Sequence, residues 1–237
     1  HTDNFEEVSF GPILYGAKKL GMHIHTRYEV SNNAGQDICD IVNNEGFDFL
    51  LVGSGISMSD SPDDIAATRY RTSFYNRYFK RFKAPESWFY PGALLKDKTK
   101  MFIARSNCDV GVFINRNFVK ATNTLVVISS EEDLFLLDYT RTLLKATHGS
   151  VGIVAKMSTT TPGHDQILKE LWDFVSSIPQ TQLLPDKDLT PGLFNSYNFM
   201  LIGYNTWNDV SEHRKEALQK MPSTLILNKN KRSSSDN

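Results

Sequence analysis

Residues 47–53 (Phe-Asp-Phe-Leu-Leu-Val-Gly), 124–129, 150–157 and 199–204 are short, nearly unbroken apolar runs. A strand with one face in water alternates apolar and polar residues; one covered on both faces loses the alternation, so such runs fit a parallel sheet. Helical patterns lie between several of them. Residues 130–146 carry Leu134, Leu137, Leu143 and Leu144, and residues 164–177 carry Ile167, Leu168, Leu171, Trp172 and Val175. Strands alternating with helices of about 10–15 residues build βαβ units and a mostly parallel, doubly wound sheet. The predicted fold class is α/β, Rossmann-like, with helices on both faces.

The rest of the chain extends this pattern. Ile13, Leu14, Ala17 and Leu20 predict a helix with Pro12 in its first turn and Gly21 at its exit, after a frayed start at residues 1–7. Residues 22–30 alternate and predict a strand, residues 35–44 a helix, 94–106 a helix and 109–115 a strand. Residues 182–184 predict a short strand, 210–221 a polar helix and 224–228 a final strand. Two stretches repeat the order buried strand, helix, strand: 47–53, 94–106 and 109–115, then 199–204, 210–221 and 224–228. The chain therefore reads as tandem halves. The first, 1–120, lacks an opening strand and helix and carries an insertion at 56–90; the second is 121–229; a tail at 230–237 is expected to be disordered.

Charge and cysteine content narrow the classes. Lys and Arg number 26 against 27 Asp and Glu, so no global field draws the chain to nucleic acid. No run reaches the roughly 18–20 apolar residues that span a bilayer. Only Cys39 and Cys108 occur, each inside a predicted element, which favours core thiols over a disulfide. The chain opens at His1 without a methionine or leader pattern, and reads as a piece of a longer polypeptide.

Several segments carry a family resemblance. Phe47-Asp48-Phe49-Leu50-Leu51-Val52-Gly53-Ser54-Gly55 resembles the fourth strand and glycine turn of universal stress protein domains. Asn107-Cys108-Asp109-Val110-Gly111-Val112-Phe113-Ile114-Asn115-Arg116 is similar to a Pro-Cys-Ser-Val-Gly-Ile-Leu-Val-Asp-Arg segment. That segment belongs to the cytosolic C-terminal region of monovalent cation:proton antiporters, the plant cation/H+ exchangers and fungal K+/H+ antiporters. Residues 123–133 resemble the same family's strand and acidic helix entrance, and Asn198-Phe199-Met200-Leu201-Ile202-Gly203 resembles its Asp-Leu-Phe-Ile-Val-Gly strand. Asn107 and Asp109 depart from the family's Pro and Ser, and residues 56–90 match nothing in it.

The candidate sites are few. ATP-binding stress proteins hold phosphates on a Gly-x-x-Gly turn followed by a Gly-Ser/Thr helix start, where backbone N–H groups meet the anion. If an adenine nucleotide binds here, Gly53, Ser54, Gly55 and Gly92 are the residues to meet its phosphates. Their spacing is wrong for that motif, however, and a plain glycine turn is the favoured reading. His23 and His25 share one side of a predicted strand, but no further ligands stand at metal spacing, so no metal is expected. Glu131, Glu132 and Asp133 open a helix, where negative charge is stabilising, and are read so instead of as general acids or bases; Asp165 is read likewise. No nucleophile, zinc or phosphate-loop motif occurs, and no catalysis is expected. Residues 69–90 interleave arginine and lysine with aromatics, and Arg77, Tyr78, Lys80, Arg81 and Phe82 are its centre. Three readings compete there: a helix packed on the sheet, a docking surface, and a membrane-surface contact.

The resemblance implies the non-catalytic cytosolic regulatory domain of a K+/H+ antiporter, on the cytosolic face of an endomembrane. Its expected partners are the transmembrane antiporter domain of the same polypeptide, a second copy in a homodimer and the membrane surface; nucleic acid is not expected. The alternative is a free-standing nucleotide-binding universal stress protein. A small α/β enzyme is the third class, and it requires a deep pocket with convergent ionisable groups at the carboxyl ends of the strands.

Overall fold

The computed structural model describes residues 3–27, 29–53, 98–157, 162–185, 188–213 and 220–230. The chain divides into two compact units, His1–Ala34 and Gly35–Asn237.

The first unit is built on helix α1 (Asp3–Lys19). The helix starts well before the predicted position, so most of the stretch expected to fray is helical and Pro12 stands inside the helix. Its end is as predicted. Gly21 takes a left-handed φ of 67°, and the Met22 amide donates back to the Ala17 carbonyl at 2.9 Å. Residues 22–30 form no strand among the described residues. The alternation misleads because it has no apolar face to bury: Met22, Ile24 and Val30 are exposed, and so are His23 and His25 on the other side.

The second unit opens with α2 (Ala34–Glu45), β1 (Phe49–Gly53), α3 (Lys98–Arg105) and β2 (Asp109–Ile114). It continues with β3 (Asn123–Ile128), a tight 3-10 turn at Glu131–Asp133, α4 (Leu136–Thr147) and β4 (Ser150–Ala155). Then come α5 (His164–Ser177), β5 (Thr181–Pro185), the single turn α6 (Pro191–Phe194), β6 (Phe199–Gly203), α7 (Tyr204–His213) and β7 (Ser223–Asn228). The helix predicted at 210–221 in fact begins at Tyr204, directly after the strand. Its early turns look polar because only Thr206 and Trp207 among them are buried.

The strands form one sheet in the order β1-β2-β7-β6-β3-β4-β5. All neighbours are parallel except β2 and β7, which run antiparallel with Val112 opposite Ile226. The strands of the predicted halves thus join in one sheet. The physical reason is the edge: β2 and β7 would each leave a row of unpaired N–H and C=O groups, and pairing them removes both. Within the second half, β5-β4-β3-β6-β7 is a complete doubly wound set. The first half supplies α2-β1-α3-β2, which repeats the order α6-β6-α7-β7.

Alternate residues of each strand pack on opposite faces. Leu125, Val127, Met200, Ile202 and Ile226 meet Phe194, Trp207 and Val210 from α6 and α7. Val126, Ile128, Ile153 and Leu201 meet Leu136 and Leu144 of α4 and Ile167, Leu171 and Phe174 of α5. Burying each such side chain contributes roughly 1.5–3 kcal/mol. A smaller cluster seats Cys39 of α2 and Phe102 of α3 on Val110 of β2. Strand β1 corrects the sequence reading. It is predicted as buried on both faces, yet it is the sheet edge among the described residues, and Leu51 is 58% exposed. Its Phe49 reaches across β2 because Gly111 has no Cβ there; a side chain at 111 would run into the Phe49 ring.

Candidate functional site: the crevice at the strand reversal

From β3 the chain winds outward to β4 and β5, then returns to lay β6 on the other side of β3. In open α/β sheets the crevice outside the carboxyl ends of two such strands is where ligands bind. Its walls here are the loop after β3, carrying Ser129, Ser130 and the Glu131–Asp133 turn, and the start of α7 after Gly203.

Asp133 dominates this place. The sequence reads it as part of a helix entrance, and the local geometry agrees: Ser130 is extended, with φ −152° and ψ 169°, and the Asp133 amide donates to the Ser130 carbonyl at 3.1 Å. Its carboxylate does more than cap. Oδ2 accepts from the backbone amides of Ser129 at 2.8 Å and Ser130 at 3.2 Å. The same oxygen accepts from the Ser129 hydroxyl at 3.2 Å and from the Thr206 hydroxyl of α7 at 2.6 Å. The two hydroxyls also touch each other. Asp133 and Thr206 are each 2% exposed. The other carboxylate oxygen lies where a Cβ on Gly203 would sit, so glycine at 203 is what leaves room for it.

Outside this knot is a cleft of about 280 Å³, lined by Glu131, Glu132, Asn205, Asn228, Lys229 and Asn230 among others. Asn205 donates to the Glu132 carboxylate at 2.8 Å. Outside the knot, Glu131 and Glu132 against Lys229 leave the cleft without a net positive charge to draw phosphate. No glycine-rich turn follows β6, since α7 starts at Tyr204. At the opposite end of the strands, Arg141, Lys145, His148 and Gln180 border a cleft of about 500 Å³. Arg141 is paired with Asp138 at 3.1 Å and lies over the Phe174 ring.

Of the predicted site residues, only Gly53 is among the described residues. Gly53 ends β1 without a left-handed φ, and a Cβ there would meet open space, so neither a turn nor a close approach requires glycine among the described residues. Ser54, Gly55 and Gly92 lie outside the described residues, as do Arg77, Tyr78, Lys80, Arg81 and Phe82 of the aromatic and basic segment. Among the described residues no three His, Cys, Asp or Glu side chains are grouped to hold a metal. Cys39 and Cys108 are buried core thiols. Burial raises both thiols above their ordinary value, and the neighbouring Asp109 charge raises Cys108 further, so neither is an activated nucleophile.

A second knot joins the halves. Asp109, at the start of β2, accepts from the Tyr139 hydroxyl of α4 at 2.8 Å and from the Asn230 amide beyond β7 at 2.7 Å. The Asn230 side chain donates to the Ser106 carbonyl at 2.7 Å. Burial, then the hydrogen bond to Asp109 and its charge, push the Tyr139 hydroxyl well above its ordinary range. Sequence reasoning missed both knots. The signal for the first was present in the Ser130-x-x-Asp133 capping pattern and in Thr206 just after Gly203. The second joins residues 121 positions apart and has no local signal.

No family model and no curated protein matches the chain. Among solved structures, a universal stress protein from Archaeoglobus fulgidus DSM 4304 aligns over 97% of this chain and 79% of its own, at 12% identity and a TM-score of 0.52. A functionally unknown protein from Pseudomonas aeruginosa PAO1 aligns over 95% and 78%, at 10% identity and a TM-score of 0.48. At such identities the likeness speaks for the fold, and only the first is close enough to carry it. The chain has a universal-stress-protein-like, Rossmann-like α/β fold.

Proposed function

We propose that this chain is a non-catalytic regulatory module of a monovalent cation:proton antiporter, and that the crevice of its second half is not a nucleotide site. The observation that carries the reading is the filled crevice. Where a ligand phosphate would need donors, Asp133 already takes them, and the cleft outside is rimmed by Glu131 and Glu132. An enzyme of this architecture would present convergent ionisable groups there, free to act on a substrate. The acidic groups instead are engaged in holding the chain: Asp133 on β3 and α7, and Glu132 on Asn205.

The link to an antiporter comes from the sequence. The segment similar to the antiporter family, residues 107–116, contains β2, the strand through which the two halves are joined. In this reading the transmembrane part of the same polypeptide is the partner, the module faces the cytosol, and copies pair as the transporter does. The membrane surface is a further contact through residues 69–90; nucleic acid is not a partner. Such a module acts by interacting differently with two transporter conformations, since a contact made equally with both shifts nothing.

The test is exchange by the whole antiporter in membrane vesicles, with and without the module. Retained transport carboxylates would keep exchange running after its removal, while the dependence on pH or cation concentration shifts. An unchanged dependence contradicts the regulatory role. The free-standing nucleotide-binding stress protein shares the fold, and it requires saturable ATP binding by the isolated chain.

A further inference from the structure

The donors around Asp133 have the composition of an anion site and not of an ordinary cap. A cap takes one or two local amides. Here one carboxylate oxygen gathers two consecutive amides and two hydroxyls, and one hydroxyl comes from a helix 73 residues away. Consecutive amides at a strand end, joined by hydroxyls, are the donor set with which proteins hold phosphate and carboxylate ions. The set stands at the strand reversal, shut from water, and the absence of a Cβ at Gly203 lets the carboxylate seat.

We propose that Asp133 is an internal ligand seated in an oxyanion site, and that the vacated site accepts an external oxyanion, inorganic phosphate or a small carboxylate, when the side chain is removed. The wild-type chain then presents no anion site here because its own tethered carboxylate takes the donors. This deepens the functional reading and shares with it only the filled crevice. The two fail separately, since nucleotide binding by the wild-type chain would sink that reading and leave the replacement experiment to be judged alone.

The experiment compares thermal unfolding of the wild-type chain, Asp133→Ala and Asp133→Asn in phosphate, acetate and chloride at matched ionic strength. Asp133→Ala is expected to melt lower in chloride and to recover saturably in phosphate and acetate. The recovery should be roughly 3–6 °C for each tenfold rise in anion above its dissociation constant. The wild-type chain and Asp133→Asn, which keeps the site filled, should show no such rise. Adding Thr206→Val to Asp133→Ala should remove the recovery. If Asp133→Ala does not fold in chloride, refolding in phosphate is the readout, and recovery there alone supports the site. Failure in every anion overturns the proposal, as does an equal phosphate response in Asp133→Asn or in the wild-type chain.

Discussion

Among the described residues, the two halves of the sheet have the same local order of elements but different completeness. The second half is a full doubly wound set with β3, β4 and β6 between neighbours, and its strand residues Leu125, Val126, Val127, Ile128, Ile153 and Ile202 are fully buried. The described first half offers two strands, of which β1 is an edge with Leu51 in water, and a core of Cys39, Phe102 and Val110. A small core rarely stands alone. Among the described residues, the first half is joined to the second by β2 on β7 and by the Asp109 knot. The difference teaches that, among the described residues, most of the buried core lies in the second half.

The largest expected effect is in the complete half. Trp207 is fully buried beneath β6 and β7, and Trp207→Ala should cost about 3–5 kcal/mol, read by chemical denaturation as one transition of the whole chain. A loss confined to the first half would break the comparison. Next is the junction. Asn230→Ala removes the side-chain bond to Ser106 and should cost about 1 kcal/mol, while speeding amide exchange in β1 and β2 more than in β3. Uniform acceleration would mean that the halves open together.

The junction also has a pH signature. The folded-state Tyr139 hydroxyl is raised above its ordinary value of 10.0, first by burial and then by Asp109. Its contribution is present below that ordinary value and is lost as pH rises above it. Denaturation midpoints should fall on the alkaline side in the wild-type chain and fall less in Tyr139→Phe. The smallest effect belongs to the edge: Leu51→Ser should change stability by no more than about 0.5 kcal/mol. A larger loss would show that β1 is covered.

The sequence carried the complete half well, for physical reasons. Helix 164–177 was legible to the residue, because Ile167 and Leu171 at helical spacing meet the sheet. The strands at 124–129, 150–157 and 199–204 were legible because burial on both faces writes a continuous apolar run. The same logic misled at β1, where Phe-Asp-Phe-Leu-Leu-Val-Gly looks doubly covered but Leu51 is exposed, on a strand that is the edge among the described residues. It misled again at 22–30, where alternation exists without a sheet to use it. The acidic trio was rightly read as a helix entrance. That Asp133 also binds α7 was not legible, since it depends on Thr206 arriving from 73 residues away. Of the glycine-turn candidates only Gly53 is among the described residues, and its described surroundings ask nothing of it.

The central claim is that the ligand crevice of the complete half is occupied by the chain itself. Calorimetric titration of the wild-type chain with ATP, ADP and AMP tests it most directly. The account predicts no strong binding of any of the three. Saturable sub-micromolar binding that is lost in Thr206→Val would place a nucleotide where Asp133 sits, and would contradict it.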